Sequence, residues 1–125
     1  MADWTPEELG KIDAADELEI AARRPDGTLR PYVTIWVVRI GGDLYVRSYR
    51  GREGAWFRSV LRRPEGHIRA GGVERDVAFA EPGDDVQDAV DQAYRAKYAG
   101  RYASSIVDPM MSPAAAAATL RLAAR

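Results

Sequence analysis

Along the chain, apolar positions recur at two periods, and the places where the period changes divide it into elements. Trp4-Thr5-Pro6-Glu7-Glu8 offers an N-cap threonine, a proline at the first helical position and acids in the first turn, which predicts a short helix to about Ala15. Glu17 to Ala22 alternates charged and aliphatic residues, with Leu18, Ile20 and Ala22 on one side, as in a strand with one buried face. Past the Arg24-Pro25-Asp26-Gly27 turn, Pro31 to Ile40 contains the β-branched and aromatic run Tyr32 to Val38. That run predicts a central core strand covered on both faces. Gly41-Gly42 predicts a two-residue hairpin into Asp43–Ser48, with both glycines at positive φ. Gly71-Gly72 joins a strand around His67–Ala70 to Val73–Ala80 in the same way.

Between the hairpins the period becomes helical. From Gly54 to Arg63, Trp56, Phe57, Val60 and Leu61 share one face, and Pro64 ends the run. Pro82-Gly83-Asp84-Asp85 caps a predicted helix from about Val86 to Ala99, whose apolar side carries Val90 and Tyr94. A loop at Gly100 to Pro109, an alanine-rich turn after Ser112-Pro113 and a closing strand at Thr119–Leu122 complete the chain. Six strands paired by glycine hairpins, with helices inserted between them, predict an antiparallel α+β barrel and not a doubly wound parallel sheet.

At 125 residues and 46% hydrophobic composition, the chain suits one domain spanning 1–125. Cysteine is absent and His67 is the only histidine, which excludes thiol nucleophiles, thiolate metal sites and His-rich metal centres. No dinucleotide or P-loop glycine motif is present. No apolar run approaches the ~20 residues of a membrane span. Met1-Ala2-Asp3-Trp4 lacks the basic-then-apolar order of a secretory signal, so a soluble cytoplasmic protein without membrane partners is expected. Net charge is −1, although residues 47–75 hold eight arginines against three acids. Those arginines are spread over a hairpin, a helix and loops, and the near-neutral total argues against nucleic acid as a partner.

The first hairpin's register decides which side chains share a surface. A two-residue loop pairs Ile40 with Asp43 and Val38 with Tyr45, and continued further would pair Trp36 with Arg47 and Thr34 with Tyr49. One face then gathers Val33, Ile35, Val37, Leu44 and Val46 as core. The other gathers Thr34, Trp36, Val38, Tyr45, Arg47 and Tyr49, a set of rings, hydroxyls and a guanidinium suited to a planar anionic ligand. An Arg47–Trp36 cation–π pair on the outside of a sheet would produce the same pattern. Just beyond, Arg47-Ser48-Tyr49-Arg50-Gly51-Arg52 runs into a helix start, where Ser48, Arg50 and the Gly51 backbone suit a phosphate or carboxylate. A solvated basic loop is the other reading of that bend. In the second hairpin His67 falls opposite Asp76 and Arg69 opposite Glu74, which reads as cross-strand ion pairing. No proton donor stands out; Tyr45 is the nearest candidate.

The stretch Gly-Ala-Trp-Phe-Arg-Ser-Val-Leu-Arg-Arg-Pro at 54–64 resembles a motif of deazaflavin-dependent nitroreductase-like proteins in the FMN-binding split-barrel superfamily. Their pattern is Pro-x-Trp-Tyr-His-Asn-Leu-x-x-x-Pro, following a strand that ends in Ser and a glycine turn. Trp56 and Pro64 match without a gap, Phe57 stands for Tyr, and Ser48 and Gly51 occupy the preceding strand end. Over residues 4–123 the order of elements also resembles a small uncharacterised bacterial family grouped with those barrels. Arg58 and Ser59 stand where His-Asn is usual, and Ala-Arg-Arg-Pro-Asp-Gly replaces the family's Thr-Gly-Arg-x-Ser-Gly loop.

The resemblance implies a six-stranded antiparallel split barrel with inserted and flanking helices, commonly a homodimer. It implies FMN or 8-hydroxy-5-deazaflavin as cofactor at the subunit interface, transferring hydride to a small organic substrate. Thr34, Trp36, Tyr49 and Trp56 would then surround the ring, and Arg47, Ser48, Arg50 and Gly51 would hold the anionic tail. The replaced glycine loop favours a different reading, a non-redox small-molecule binder or a cofactor-free enzyme using the same aromatic and arginine pocket.

Overall fold

A computed structural model describes residues 4–125; the reading of Met1–Asp3 lies outside the described residues. Helix α1 spans Pro6–Ala14 behind a complete capping box, in which the Thr5 hydroxyl accepts from the Glu8 amide and the Glu8 carboxylate accepts from the Thr5 amide. The strands are β1 (Leu18–Ala22), β2 (Val33–Ile35), β3 (Val38–Ile40), β4 (Asp43–Arg47), β5 (Glu65–Ala70), β6 (Val73–Ala80) and β7 (Thr119–Ala124). Helix α2 (Ala55–Arg62) separates the hairpins. Helix α3 (Gln87–Tyr98), two single turns α4 (Ser104–Val107) and α5 (Pro113–Ala116), and a 3-10 turn at Asp108–Met111 lie between β6 and β7.

All neighbouring strands pair antiparallel in one sheet of order β2-β1-β5-β6-β7-β4-β3. Its two edges, β2 and β3, are consecutive in the chain and separated only by Trp36 and Val37. From Ile35 to Val38 an extended chain reaches at most about 11 Å, so the sheet must curl until its edges nearly meet. The result is an α+β half-barrel with seven strands, where the sequence leads one to expect six. The expected central strand of Pro31–Ile40 is divided between the two edges, because the barrel can close there only if the chain leaves one edge and joins the other. Val33 and Thr34 are consequently exposed, not core.

Next to the turns the hairpin registers are as expected, with Val38 facing Tyr45 and His67 facing Asp76, but the first ladder stops at Val38: Thr34 pairs with Glu19 and Arg47 with Thr119, not with Tyr49 and Trp36. Gly71 and Gly72 both have positive φ, whereas in the first turn only Gly41 does. At the helices, Asp84 gives no side-chain cap; a 3-10 turn at Asp84–Val86 leads into α3 instead. Of the face expected on α2, Phe57 and Val60 are buried, Trp56 is half-buried and Leu61 is exposed. The Thr119 strand runs on to Ala124 and lies between β6 and β4, inside the sheet.

Two apolar clusters result. The inner one fills the curl with Leu18, Ile20, Leu44, Val46, Ile68, Val77, Leu120 and Leu122, closed by Ile12 of α1 and Phe57 of α2. The outer one lies on the other face of β3 and β4, where Val38 and Tyr45 meet Val90, Tyr94 and Tyr98 of α3 and Met110. No helix among the described residues is long and apolar enough to cross a membrane.

Candidate functional site

A cleft of about 590 Å³ opens where β2, the end of β4, the start of α2 and the α4 to Met110 segment converge. Trp36, Trp56, Ile35, Ile106, Pro109 and Met110 give it apolar walls; Thr34, Ser48, Tyr49, Arg50 and Ser105 supply polar groups. Its lining holds no carboxylate, imidazole or amine. Of the eight residues read from sequence as ligand contacts, Thr34, Trp36, Arg47, Ser48, Tyr49, Arg50 and Trp56 line this cleft. Gly51 does not.

Each arrives by its own route. Thr34 sits on the exposed edge strand β2. Trp36 sits at the crossing between the two sheet edges, its indole stacked on Tyr98 at 4.0 Å and 7° and tilted against Tyr102. Trp56 lies in the first turn of α2, edge-on to Phe57 at 6.0 Å, so the inner core anchors one side of its ring. Tyr49 stands at the rim, 65% exposed.

Ser48 is 1% exposed, yet its hydroxyl makes no hydrogen bond among the described residues. It lies against the start of α2, so close that a Cβ on Gly54 would come within 2.5 Å of Ser48 Oγ. That helix has no side-chain cap. Its first intrahelical bond runs from the Arg58 amide to the Gly54 carbonyl, which leaves the amides of Ala55, Trp56 and Phe57 without helical partners. Arg50 is exposed at the same end and enters no ion pair among the described residues. A hydroxyl, unpaired amides and a guanidinium therefore meet at a helix N-terminus, where the helix dipole also favours an anion.

Arg47 has a different fate from the one expected for it. Its guanidinium is buried and every N–H is spent: Nε on Thr119 Oγ1, Nη1 on Asp91 and the Met110 carbonyl, Nη2 on the carbonyl and side-chain oxygens of Gln87. It has no donor left for a ligand tail and instead joins β4 to α3, β7 and the cleft wall at Met110. No Trp36–Arg47 pair forms; the ring under the guanidinium is Tyr94, at 5.7 Å. Burial pushes the Tyr94 phenol up, and its hydroxyl finds no partner among the described residues. Gly51, with φ 68°, presses against Ala114, and its amide and carbonyl are taken by Ser48 and Gly54. Tyr45 lies in the outer cluster, outside the cleft, and burial raises its phenol above the ordinary value. His67 bridges Asp76 and Glu74 across the second hairpin, and Arg69 turns to Glu19 and lies 3.7 Å over the Tyr32 ring.

The wall from Ser105 to Met110 carries no sequence signal, since it comes from a stretch that reads as loop. The Arg47 partners do carry one. Gln87 and Asp91, four residues apart on α3, place polar groups on the side that packs against the sheet.

The model of a family described as an uncharacterized protein conserved in bacteria, DUF2255, matches residues 8–122. The chain belongs to this family. No curated protein matches it in sequence. Among solved structures, this DUF2255 chain resembles the conserved hypothetical protein Rv2991 from Mycobacterium tuberculosis, with TM-score 0.71 and 16% identity over 99% of this chain and 82% of that one. An F420 reductase gives TM-score 0.60 and 17% identity over 93% and 90%. The heme storage protein HutZ from Vibrio cholerae gives 0.64 and 14% over 96% and 89%. At these identities the likeness is one of fold alone.

Proposed function

We propose that this chain binds FMN or 8-hydroxy-5-deazaflavin in the cleft, as a homodimer, and transfers hydride to a small organic substrate. The observation that carries the reading is the meeting, in one cleft, of two indoles with the Ser48 hydroxyl at the start of α2 and the exposed Arg50 guanidinium, which enters no ion pair among the described residues. The residues fit such a group in two parts. Trp36, Trp56, Ile35 and Met110 offer flat apolar surface for a ring. Ser48, the first amides of α2 and Arg50 offer donors for a phosphate or an anionic tail.

When bound, the cofactor supplies the redox chemistry; the protein contributes orientation and electrostatics. Ser48 and the α2 amides would hold the tail, and Trp36 and Trp56 would orient the ring. The apolar wall from Ile106 to Met110 excludes water from the ring. With no carboxylate, imidazole or amine in the lining, the substrate's proton comes from solvent or from a hydroxyl such as Thr34 or Ser105. Val33, Tyr49 and Ile106 are exposed apolar side chains around the opening, and a second copy of the chain covering them would complete the site. The F420 reductase and HutZ folds agree with a ligand-binding barrel of this kind.

The spent guanidinium of Arg47 and the closed backbone of Gly51 favour a second reading, a non-redox binder of another planar anion. Titration separates the two. Purified protein mixed with FMN, or with oxidised or reduced deazaflavin, is expected to show a perturbed absorbance band and a raised melting temperature. Arg50→Gln or Ser48→Ala would diminish both. Absence of any shift with either cofactor would leave only the second reading.

A further inference from the structure

The crossing from one sheet edge to the other creates a problem that the sheet cannot solve. Trp36 and Val37 belong to neither strand ladder, so the peptide groups of Val37, a fully buried residue, have no strand to pair with. Buried backbone groups left unpaired are costly. Here α3 supplies the partners from its last turn. The Val37 amide donates to the Tyr98 hydroxyl at 3.1 Å, and the Val37 carbonyl accepts from Lys97 Nζ at 2.8 Å. The Tyr98 hydroxyl passes its own proton to the Asp16 carbonyl at 2.8 Å, at the start of β1. The same Tyr98 ring stacks on the Trp36 indole.

We infer that Tyr98 and Lys97 form a latch that positions Trp36 as the ring platform of the cleft without touching a ligand. One residue, Tyr98, fixes both the backbone at position 37 and the plane of the side chain at position 36, and through Asp16 it ties both to the start of β1, the neighbour of edge strand β2. Tyr102, hydrogen-bonded to the Asp16 carboxylate, backs the indole from a second side. The latch thus couples closure of the barrel to the shape of the cleft. The role given to Trp36 rests on the ligand reading above; the latch on Val37 does not.

Native-state hydrogen exchange with Tyr98→Phe tests it, with Lys97→Met as a second variant and Tyr94→Phe as a control that loses a hydroxyl from the same helix face. Exchange of the Val37 amide in Tyr98→Phe is expected to accelerate about tenfold, the loss of one hydrogen bond, while amides of β5 and β6 stay protected. The Trp36 indole N–H resonance should shift and broaden, and FMN affinity should fall several-fold; Lys97→Met should reproduce the resonance change, and Tyr94→Phe should leave all three readouts alone. Unchanged Val37 exchange in Tyr98→Phe would overturn the latch. Faster exchange with an unmoved Trp36 resonance and unchanged FMN affinity would overturn the positioning role. If the wild-type protein bound neither FMN nor deazaflavin, the cofactor reading would fail, and Val37 exchange with the Trp36 resonance would still decide the latch.

Discussion

The two faces of strand β4 are packed by different chemistry. On the inner face Leu44 and Val46 join a mainly aliphatic cluster with the rings of Trp4, Phe57 and Phe79, whose main demand on its neighbours is volume. On the outer face Tyr45 and Arg47 meet α3 in a cluster of phenols, a buried guanidinium and directed hydrogen bonds. The inner cluster holds the curl of the sheet. The outer one fixes where particular atoms stand, and its edge is the cleft: Arg47 holds Met110, and Tyr98 holds Trp36. The inner side thus carries most of the core and seats Trp56 and Ile35, whereas the outer side sets the positions of Trp36 and Met110.

Substitutions on the two sides should therefore separate. Ile68→Ala removes a fully buried side chain from the inner cluster, away from the cleft, and is expected to cost about 2–5 kcal/mol in urea or thermal unfolding. The folded fraction should retain its ligand affinity to within about twofold. Arg47→Met keeps much of the side chain's bulk but strands Asp91, Gln87 and the Met110 carbonyl. An expected loss of about 2–3 kcal/mol should come with weaker ligand binding, read by titration at a temperature where the variant is folded. Equal affinity in Arg47→Met and wild type would break the contrast between the faces.

Smaller effects sharpen it. Tyr94→Phe deletes a buried hydroxyl that has no partner among the described residues, so stability should stay within about 1 kcal/mol of wild type or rise. A clear loss would mean the hydroxyl is paired. Partly exposed carboxylates give the gentlest dependence. Asp16 is held below the ordinary carboxylate range by the Tyr102 hydroxyl and Arg101, Asp76 by His67 and Arg23, and Glu8 by the Thr5 amide and Arg75. Lowered folded values mean that their contribution is complete above about pH 4–5 and is lost as pH falls through them. Urea midpoints measured from pH 6 to pH 3 should decline; a rise toward pH 3 would contradict those pairings.

Much of this was legible in the sequence where the constraint is local. Two-residue glycine loops pin hairpin registers, so Val38 opposite Tyr45 and His67 opposite Asp76 follow from counting. Thr5 and Glu8 announce α1 for the same reason. The crossing at Trp36 and Val37 was not legible, because alternation along Pro31–Ile40 looks the same for one strand as for two placed on opposite edges. In the site, the set sharing Trp36's face was readable, but closure of the barrel divides it. Val38 and Tyr45 pass under α3, Thr34, Trp36 and Tyr49 reach the cleft, and Arg47 borders it with its guanidinium spent on α3 and Met110. Arg47 read as a free cation because Gln87 and Asp91, the acceptors that bury it, lie about forty residues away in the chain. The wall from Ser105 to Met110 has no periodicity to betray it.

The most direct measurement is a crystal structure of the protein grown with FMN or with 8-hydroxy-5-deazaflavin. The expected result is density for the ring against Trp36 and Trp56, with the anionic tail at Ser48, Arg50 and the first turn of α2. An unliganded cleft at saturating cofactor, or a ligand bound anywhere else, would contradict the assignment of this cleft as the site.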